Sequence, residues 1–275
     1  MNRSLSARWL ILALGLVFLS AGLSLYAQQQ EGYQPQVGQA GKDVVWVPTD
    51  EGLVGKMLDM AKVTPQDVVI DLGSGDGRTV IAAAKRGARA YGIEFNPDMV
   101  ELSIRNATEA GVSDKATFAK ADIFESDFSK ATVITMFLLP DINLKLRPKL
   151  LDLKPGTRIV SNSFTMEDWQ TDETTSMESN CATWCTAFLW IIPVKVEGKW
   201  RLQDGELTIT QQFQIIKGSL VSGGKSTPIV GRLRGGQIQF GADGAEYTGQ
   251  VSGDTISGTI NKASVESKWS AAREK

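Results

Sequence analysis

The run Asp71, Leu72, Gly73, Ser74, Gly75, Asp76, Gly77 is the part of this chain best suited to chemistry. It follows an apolar stretch (Val68, Val69, Ile70) and precedes a helical pattern. Glycines at such a turn let the backbone approach a ligand closely. A phosphate-binding loop would need Gly-Lys-Ser or Gly-Lys-Thr, which is absent here. The dinucleotide pattern G-x-G-x-x-G is also unmet, because the third glycine stands at 77 rather than 78. Asp71, at the end of the strand, disfavours a pyrophosphate and suits a ligand carrying an ammonium group. Glu94 ends the next apolar run, where doubly wound sheets place an acceptor for ribose hydroxyls. Asp122 follows a third run and is placed to accept from an adenine amino group, with Ile123 or Phe124 packing on the base. A single carboxylate at a strand end is usually a cap or solvated. Three in register at one sheet edge point to a nucleoside site.

Composition removes several other chemistries. The 275 residues include no histidine, which excludes an imidazole base, a Ser-His-Asp triad and a His-ligated metal. Two cysteines are too few for a four-thiolate zinc site or a disulfide scaffold, and no metal-ligand cluster is visible. Cys181 and Cys185 could pair in an oxidising compartment if the spacing lies on a helix, but not on a strand. With 29 basic and 31 acidic residues, no basic excess points to a nucleic-acid partner. The hydrophobic share of 42% is that of a globular chain.

The elements that must position these residues alternate between apolar strands and amphipathic helices over residues 44–202. Leu53, Val54, Met57, Leu58 and Ala61 share one helical face, with Thr49 or Asp50 as the cap. Strands are expected at 68–72, 90–94, 116–120, 132–137 and 158–163. Helices are expected at 79–85, from Pro97 to a stop at Gly111, and at 142–151, where Pro148 should kink or split the last. This is the signature of an α/β, doubly wound, mostly parallel sheet. Residues 187–196 and 199–202 suggest an antiparallel hairpin ending it. Residues 203–275 change texture to short alternating runs punctuated by glycine. They predict a small C-terminal all-β meander, a curled sheet or half-barrel packed on the first domain.

With these motifs in view, the chain resembles the class I S-adenosylmethionine-dependent methyltransferases. The matching residues are the 71–77 loop, Gly92, Ile93, Glu94, Phe95, Asn96, Pro97, and Ala121 with Asp122. Val47, Pro48 and Thr49, together with residues 71–81, resemble a subgroup of membrane-associated, mitochondrial-type protein-lysine methyltransferases. Residues 138–156 are similar to bacterial members. Those often carry Ser-His before Phe-x-Met-x-Asp-Trp; here Asn162 takes the histidine's place in the segment ending at Trp169. The resemblance implies a Rossmann-like methyltransferase fold with S-adenosylmethionine as cofactor. Gly73, Ser74 and Gly75 would pass under its methionine part, Asp71 would hold its ammonium and Thr49 would touch its carboxylate. Glu94 would take the ribose, and Asp122 with Ile123 the adenine. The reaction would be in-line transfer of a methyl group to an amine, such as a protein lysine, needing alignment and a deprotonated nucleophile but no metal.

On the acceptor side, the Pro-Pro-Tyr or Pro-Pro-Phe motif of DNA and glutamine methyltransferases is missing after the fourth strand. Asp141, Asn143 and Asn162 could orient or deprotonate an amine, or serve only as caps and loop hydrogen bonds. Trp169, Trp184, Trp190 and Trp200 could line an apolar cleft or fill the seam to the meander. Lys145, Arg147 and Lys149 suggest a solvated helix face.

Residues 1–27 have the form of an export signal or membrane anchor. Arg3 and Arg8 precede an uncharged apolar run, and the positive-inside rule then places the remainder outside the cytoplasm. Residues 28–43 suggest a flexible lead-in. The expectation is an exported enzyme, periplasmic or anchored to the inner membrane, acting on a protein or small-molecule acceptor. The methyl donor is made in the cytoplasm, so the alternative is an exported scaffold or binding protein that retains the fold. In a third reading the meander docks a partner, with Arg232 and Arg234 on one face.

Overall fold

Asp50 starts the first helix of the computed structural model, which describes residues 33–179 and 181–274. The expected leader, residues 1–27, lies outside the described residues, as does the start of the lead-in. The Asp50 side chain accepts from the Gly52 and Leu53 N–H groups, capping α1 (Glu51–Met60). The predicted face of Leu53, Val54, Met57 and Leu58 is buried. β1 (Val68–Leu72), β2 (Arg89–Glu94), β3 (Ala116–Lys120), β4 (Val133–Met136) and β5 (Arg158–Asn162) form the parallel part of the sheet. The crossovers contain α2 (Arg78–Lys85), α3 (Pro97–Glu109) and α4 (Pro140–Leu151). Asn96 caps α3 with Pro97 in its first turn, and Gly111 turns the chain beyond it with φ 68°. Pro148 lies inside α4, which continues through it as one helix.

The strand order is β3-β2-β1-β4-β5-β7-β6, where β6 is Glu173–Ser176 and β7 is Thr186–Ile191. The sheet therefore does end in an antiparallel pair, but not in the expected hairpin. β7 pairs with β5 on one side and β6 on the other. The expected second arm, residues 199–202, falls in β8 (Gly198–Leu202), which belongs to the C-terminal sheet. Its alternating pattern suited either partner.

β8 is followed by β9 (Gly205–Gln212), β10 (Ile215–Ser222), β11 (Lys225–Arg234), β12 (Gln237–Ala242), β13 (Ala245–Ser252), β14 (Thr255–Lys262) and β15 (Val265–Arg273). They close into an eight-stranded barrel, a step beyond the expected half-barrel, with β15 pairing back onto β8. Side chains fill the interior, among them Trp200, Leu207, Ile216, Leu233, Phe240 and Trp269. Barrel and sheet lie in one compact unit, residues 35–275. At their seam the Val194 N–H donates to the Gly235 carbonyl at 2.8 Å. Arg232 donates to buried Asp172 at 2.8 Å, and Arg234 pairs with Glu173. These are the two arginines that suggested an outside partner; they hold the barrel to edge strand β6.

Candidate active site

The carboxyl ends of β1, β2, β3 and β4 open into one pocket. Its floor is the glycine turn after β1. Gly73 and Gly75 have φ 77° and 55°, in the left-handed region that favours glycine. A Cβ on Gly75 would lie 2.6 Å from Trp46 Nε1. Gly77 (φ 83°) is the residue before α2 and has no side chain with which to cap it. Ser103 Oγ donates to the Gly75 carbonyl at 2.8 Å, fixing the turn from α3. Ser74 Oγ is buried without a partner.

Asp71 is buried at the pocket floor and accepts from Thr135 Oγ1 at 2.6 Å. Burial pushes its carboxyl up to about 7; the Thr135 hydrogen bond opposes this, and repulsion from Asp76 and Glu94 adds to it. Glu94 accepts from the Gly75 N–H at 3.0 Å through Oε2 and from the Asn96 N–H at 2.9 Å through Oε1. Each oxygen keeps a free lone pair. Asp122 accepts from the Phe124 N–H at 2.9 Å and pairs with Lys42. The Lys42 hydrogen bond, with help from that N–H, holds its carboxyl below the ordinary range. Ile123 lines the pocket beside it. Thr49 is buried, lines the pocket, accepts from Arg78 through its carbonyl at 2.8 Å, and accepts from Asn162 Nδ2 at 3.3 Å. All eight residues expected around a cofactor thus surround or underlie one cavity.

The three acceptor-side candidates fall elsewhere, since none lines the pocket. Asp141 is exposed in the first turn of α4. Asn143 is fully buried and donates to the Phe164 and Thr165 carbonyls, each at 3.3 Å. Asn162 is fully buried between Thr49 and Ser163. The Asn143 and Asn162 contacts support the loop after β5. The basic run on α4 is a solvated face only in part: Lys145 is exposed, while Arg147 and Lys149 are half-buried. Lys145 lies over the Phe124 ring, Arg147 donates to the Met166 carbonyl at 3.0 Å and pairs with Asp168, and Lys149 donates to the Phe124 carbonyl at 3.2 Å.

Sequence reasoning missed the wall contributed by residues 39–46. The lead-in, from Pro35 on, folds against the sheet edge, with the Trp46 N–H donating to the Gln39 carbonyl at 2.9 Å. Lys42 and Trp46 both line the pocket. Nothing local in the sequence signals contacts that span 80 residues, as Lys42 to Asp122 does. The tryptophans separate: Trp169 and Trp190 pack together near the seam and Trp200 fills the barrel. Trp184 alone of the four lines the pocket. Cys181 and Cys185 are disulfide-bonded, in an irregular loop that is neither the helix nor the strand weighed for that spacing.

The sheet order and the acids at the ends of β1, β2 and β3 define a nucleoside-binding α/β protein. The model of the ANTKMT methyltransferase domain matches residues 71–173. A protein-lysine N-methyltransferase of Saccharolobus islandicus (strain REY15A) is 43% identical over 152 residues, which cover 54% of this chain and 94% of that protein. The adenine nucleotide translocase lysine N-methyltransferase of Mus musculus is 35% identical over 129 residues, 46% of this chain and 56% of that protein. A solved RNA methyltransferase of Salinibacter ruber, in complex with S-adenosyl-L-homocysteine, shares 47% identity with a TM-score of 0.51; the match covers 55% of this chain and 96% of that one. The chain belongs to the S-adenosylmethionine-dependent methyltransferases, in the family of the protein-lysine N-methyltransferases. It is an enzyme of that class, and the scaffold alternative is not favoured.

Proposed function

We propose that this methyltransferase acts outside the cytoplasm on a lysine amine of a protein. The observation that carries the cofactor assignment is the set of Asp71, Glu94 and Asp122 around a glycine turn with no room for side chains. That set fits S-adenosylmethionine: an ammonium needs a buried acid, a ribose needs paired acceptor lone pairs, and an adenine needs a carboxylate beside an apolar wall. Asp71 holds the ammonium, and Gly73, Ser74 and Gly75 pass under the methionine part. Glu94, oriented by the Gly75 and Asn96 N–H groups, takes the ribose. Asp122 and Ile123 take the adenine, and Thr49 the carboxylate. When bound, the cofactor supplies a sulfonium methyl open to in-line attack. The protein's part is alignment and exclusion of water.

The lysine acceptor follows the named activity of the Saccharolobus and mouse relatives. RNA, the acceptor class named for the Salinibacter protein, is the competing reading. A net charge of −2 and a pI near 5.4 speak against it. Export is supported by the apolar run behind Arg3 and Arg8 and by the Cys181–Cys185 disulfide, since such bonds persist in oxidising compartments. Among the described residues no helix is long and apolar enough to cross a membrane, so membrane association would rest on the N-terminal segment.

Calorimetry of the full chain in mild detergent tests the core of this reading. S-adenosylmethionine and S-adenosylhomocysteine should both bind, and failure of both with folded protein would sink it. Radiolabel transfer to separated protein and RNA fractions decides the acceptor class. A reporter fused after Lys275 that is active only in the cytoplasm would overturn export.

A further inference from the structure

Three aromatic rings stand at one end of the pocket. Phe137 and Phe164 stack with centroids 6.1 Å apart, and Trp184 tilts against both, 6.0 Å from Phe137 and 5.2 Å from Phe164. All three line the cavity. The sheet order separates them from the acids. Glu94 and Asp122 follow β2 and β3, on one side of β1. Phe137 follows β4, Phe164 follows β5 and Trp184 precedes β7, on the other side. With strands about 4.8 Å apart, the nucleoside end and the aromatic end are distinct regions joined at the glycine turn.

Two features show that these rings are held there against local preference. Trp184 has φ 61° and Ser163, just before Phe164, has φ 60°. Left-handed backbone is costly for residues other than glycine, most of all for a bulky one, and persists where the surroundings enforce it. For Trp184 the enforcing element is at hand. The Cys181–Cys185 bond closes the loop that carries it, and the Met177 N–H donates to the Cys185 carbonyl at 2.9 Å. Trp184 nevertheless remains 44% exposed, so its burial does not account for its position. A half-open set of tilted rings is suited to a cation on an apolar stem, because ring faces are electron-rich.

We propose that Phe137, Phe164 and Trp184 form the acceptor subsite, receiving an alkylammonium stem, and that the Cys181–Cys185 disulfide positions Trp184 within it. This rests on the cofactor assignment proposed above.

The test uses the full chain in mild detergent, saturated with S-adenosylhomocysteine and titrated with hexylamine at neutral pH. Hexanoate, with the same stem and opposite charge, is the control. Hexylamine should bind at least about tenfold more tightly than hexanoate. Trp184→Ala should weaken hexylamine by about tenfold and Trp184→Phe by much less, with S-adenosylhomocysteine affinity held in both. The double variant Cys181→Ser/Cys185→Ser should weaken hexylamine in the same way and leave the cofactor product bound. Equal binding of hexylamine and hexanoate, or of hexylamine to wild type and Trp184→Ala, would overturn the subsite. Unchanged hexylamine affinity in the double serine variant would overturn the positioning role. Loss of S-adenosylhomocysteine binding by wild type would instead strike the cofactor assignment.

Discussion

At the carboxyl edge of the parallel sheet, Asp71, Ser74, Thr135, Asn143 and Asn162 are all buried, and Ser74 Oγ and Asn143 Oδ1 lack partners. In the barrel the interior is Trp200, Leu207, Ile209, Ile216, Leu220, Ile229, Leu233, Phe240 and their neighbours. From residue 196 onward, Gln214 at the seam is the one buried polar side chain among the described residues. Unpartnered buried polar atoms cost stability, and natural cores keep few of them. Of these, Ser74 Oγ lines the pocket, where a ligand would supply its partner, whereas Asn143 Oδ1 and, at the seam, Gln214 Oε1 lie outside it; the lumen, packed with side chains, has no room for a ligand. The chemistry therefore sits on the sheet and the barrel contributes packing.

The largest expected effect would break this contrast if it failed. Trp200→Ala empties part of the barrel core and should cost about 3–5 kcal/mol in chemical denaturation. S-adenosylhomocysteine affinity, measured below the transition, should stay unchanged. A matching loss of affinity would mean that the barrel takes part in the site. The reverse case is Glu94→Ala, which removes a carboxylate from the ligand side. It should weaken S-adenosylhomocysteine by roughly a hundredfold, from two charge-assisted hydrogen bonds, measured by calorimetry.

Acidity sharpens the comparison further. The folded chain keeps a proton on Asp71 up to about pH 7, while the unfolded chain has lost it near the ordinary carboxylate range. Stability should therefore fall as pH rises between those values. A ligand ammonium favours the ionised form, so cofactor affinity should rise with pH toward 7, by up to about tenfold per unit. Asp71→Asn should flatten both profiles, in denaturation and in calorimetry. The barrel supplies no buried acid and should add no such dependence.

The smallest effects lie at the seam. Arg232→Ala leaves Asp172 buried with only the Ile191 N–H as a donor, and should cost about 2 kcal/mol. Arg234→Ala breaks an exposed pair and should cost under about 1 kcal/mol. Denaturant midpoints of the two variants test the ranking.

What the sequence revealed followed from local rules. β1 to β5 are apolar runs bounded by turn residues, and each cofactor acid stands at or just past a strand end, so periodicity alone locates them. The strand Glu173–Ser176 went unseen because an edge strand with one neighbour needs no apolar face, and its residues are Glu, Thr, Thr and Ser. Phe213, an apolar residue within the alternating runs of 203–275, has φ 52° and turns the chain between β9 and β10. Lys42 and Trp46 escaped notice for another reason. Their role depends on tertiary placement, and no pattern within a dozen residues encodes it.

The pairing of β15 with β8 has a consequence for how the chain is made. A barrel has no free edge only once its final strand is seated. Until residues 265–273 have left the ribosome, β8 and β14 each present an unpaired row of N–H and carbonyl groups, although every earlier strand already exists. The folding chain is therefore open to edge-to-edge association until that last strand is seated. Deleting those nine residues would make that exposure permanent, and the signature would be aggregation rather than a loss confined to methyl transfer.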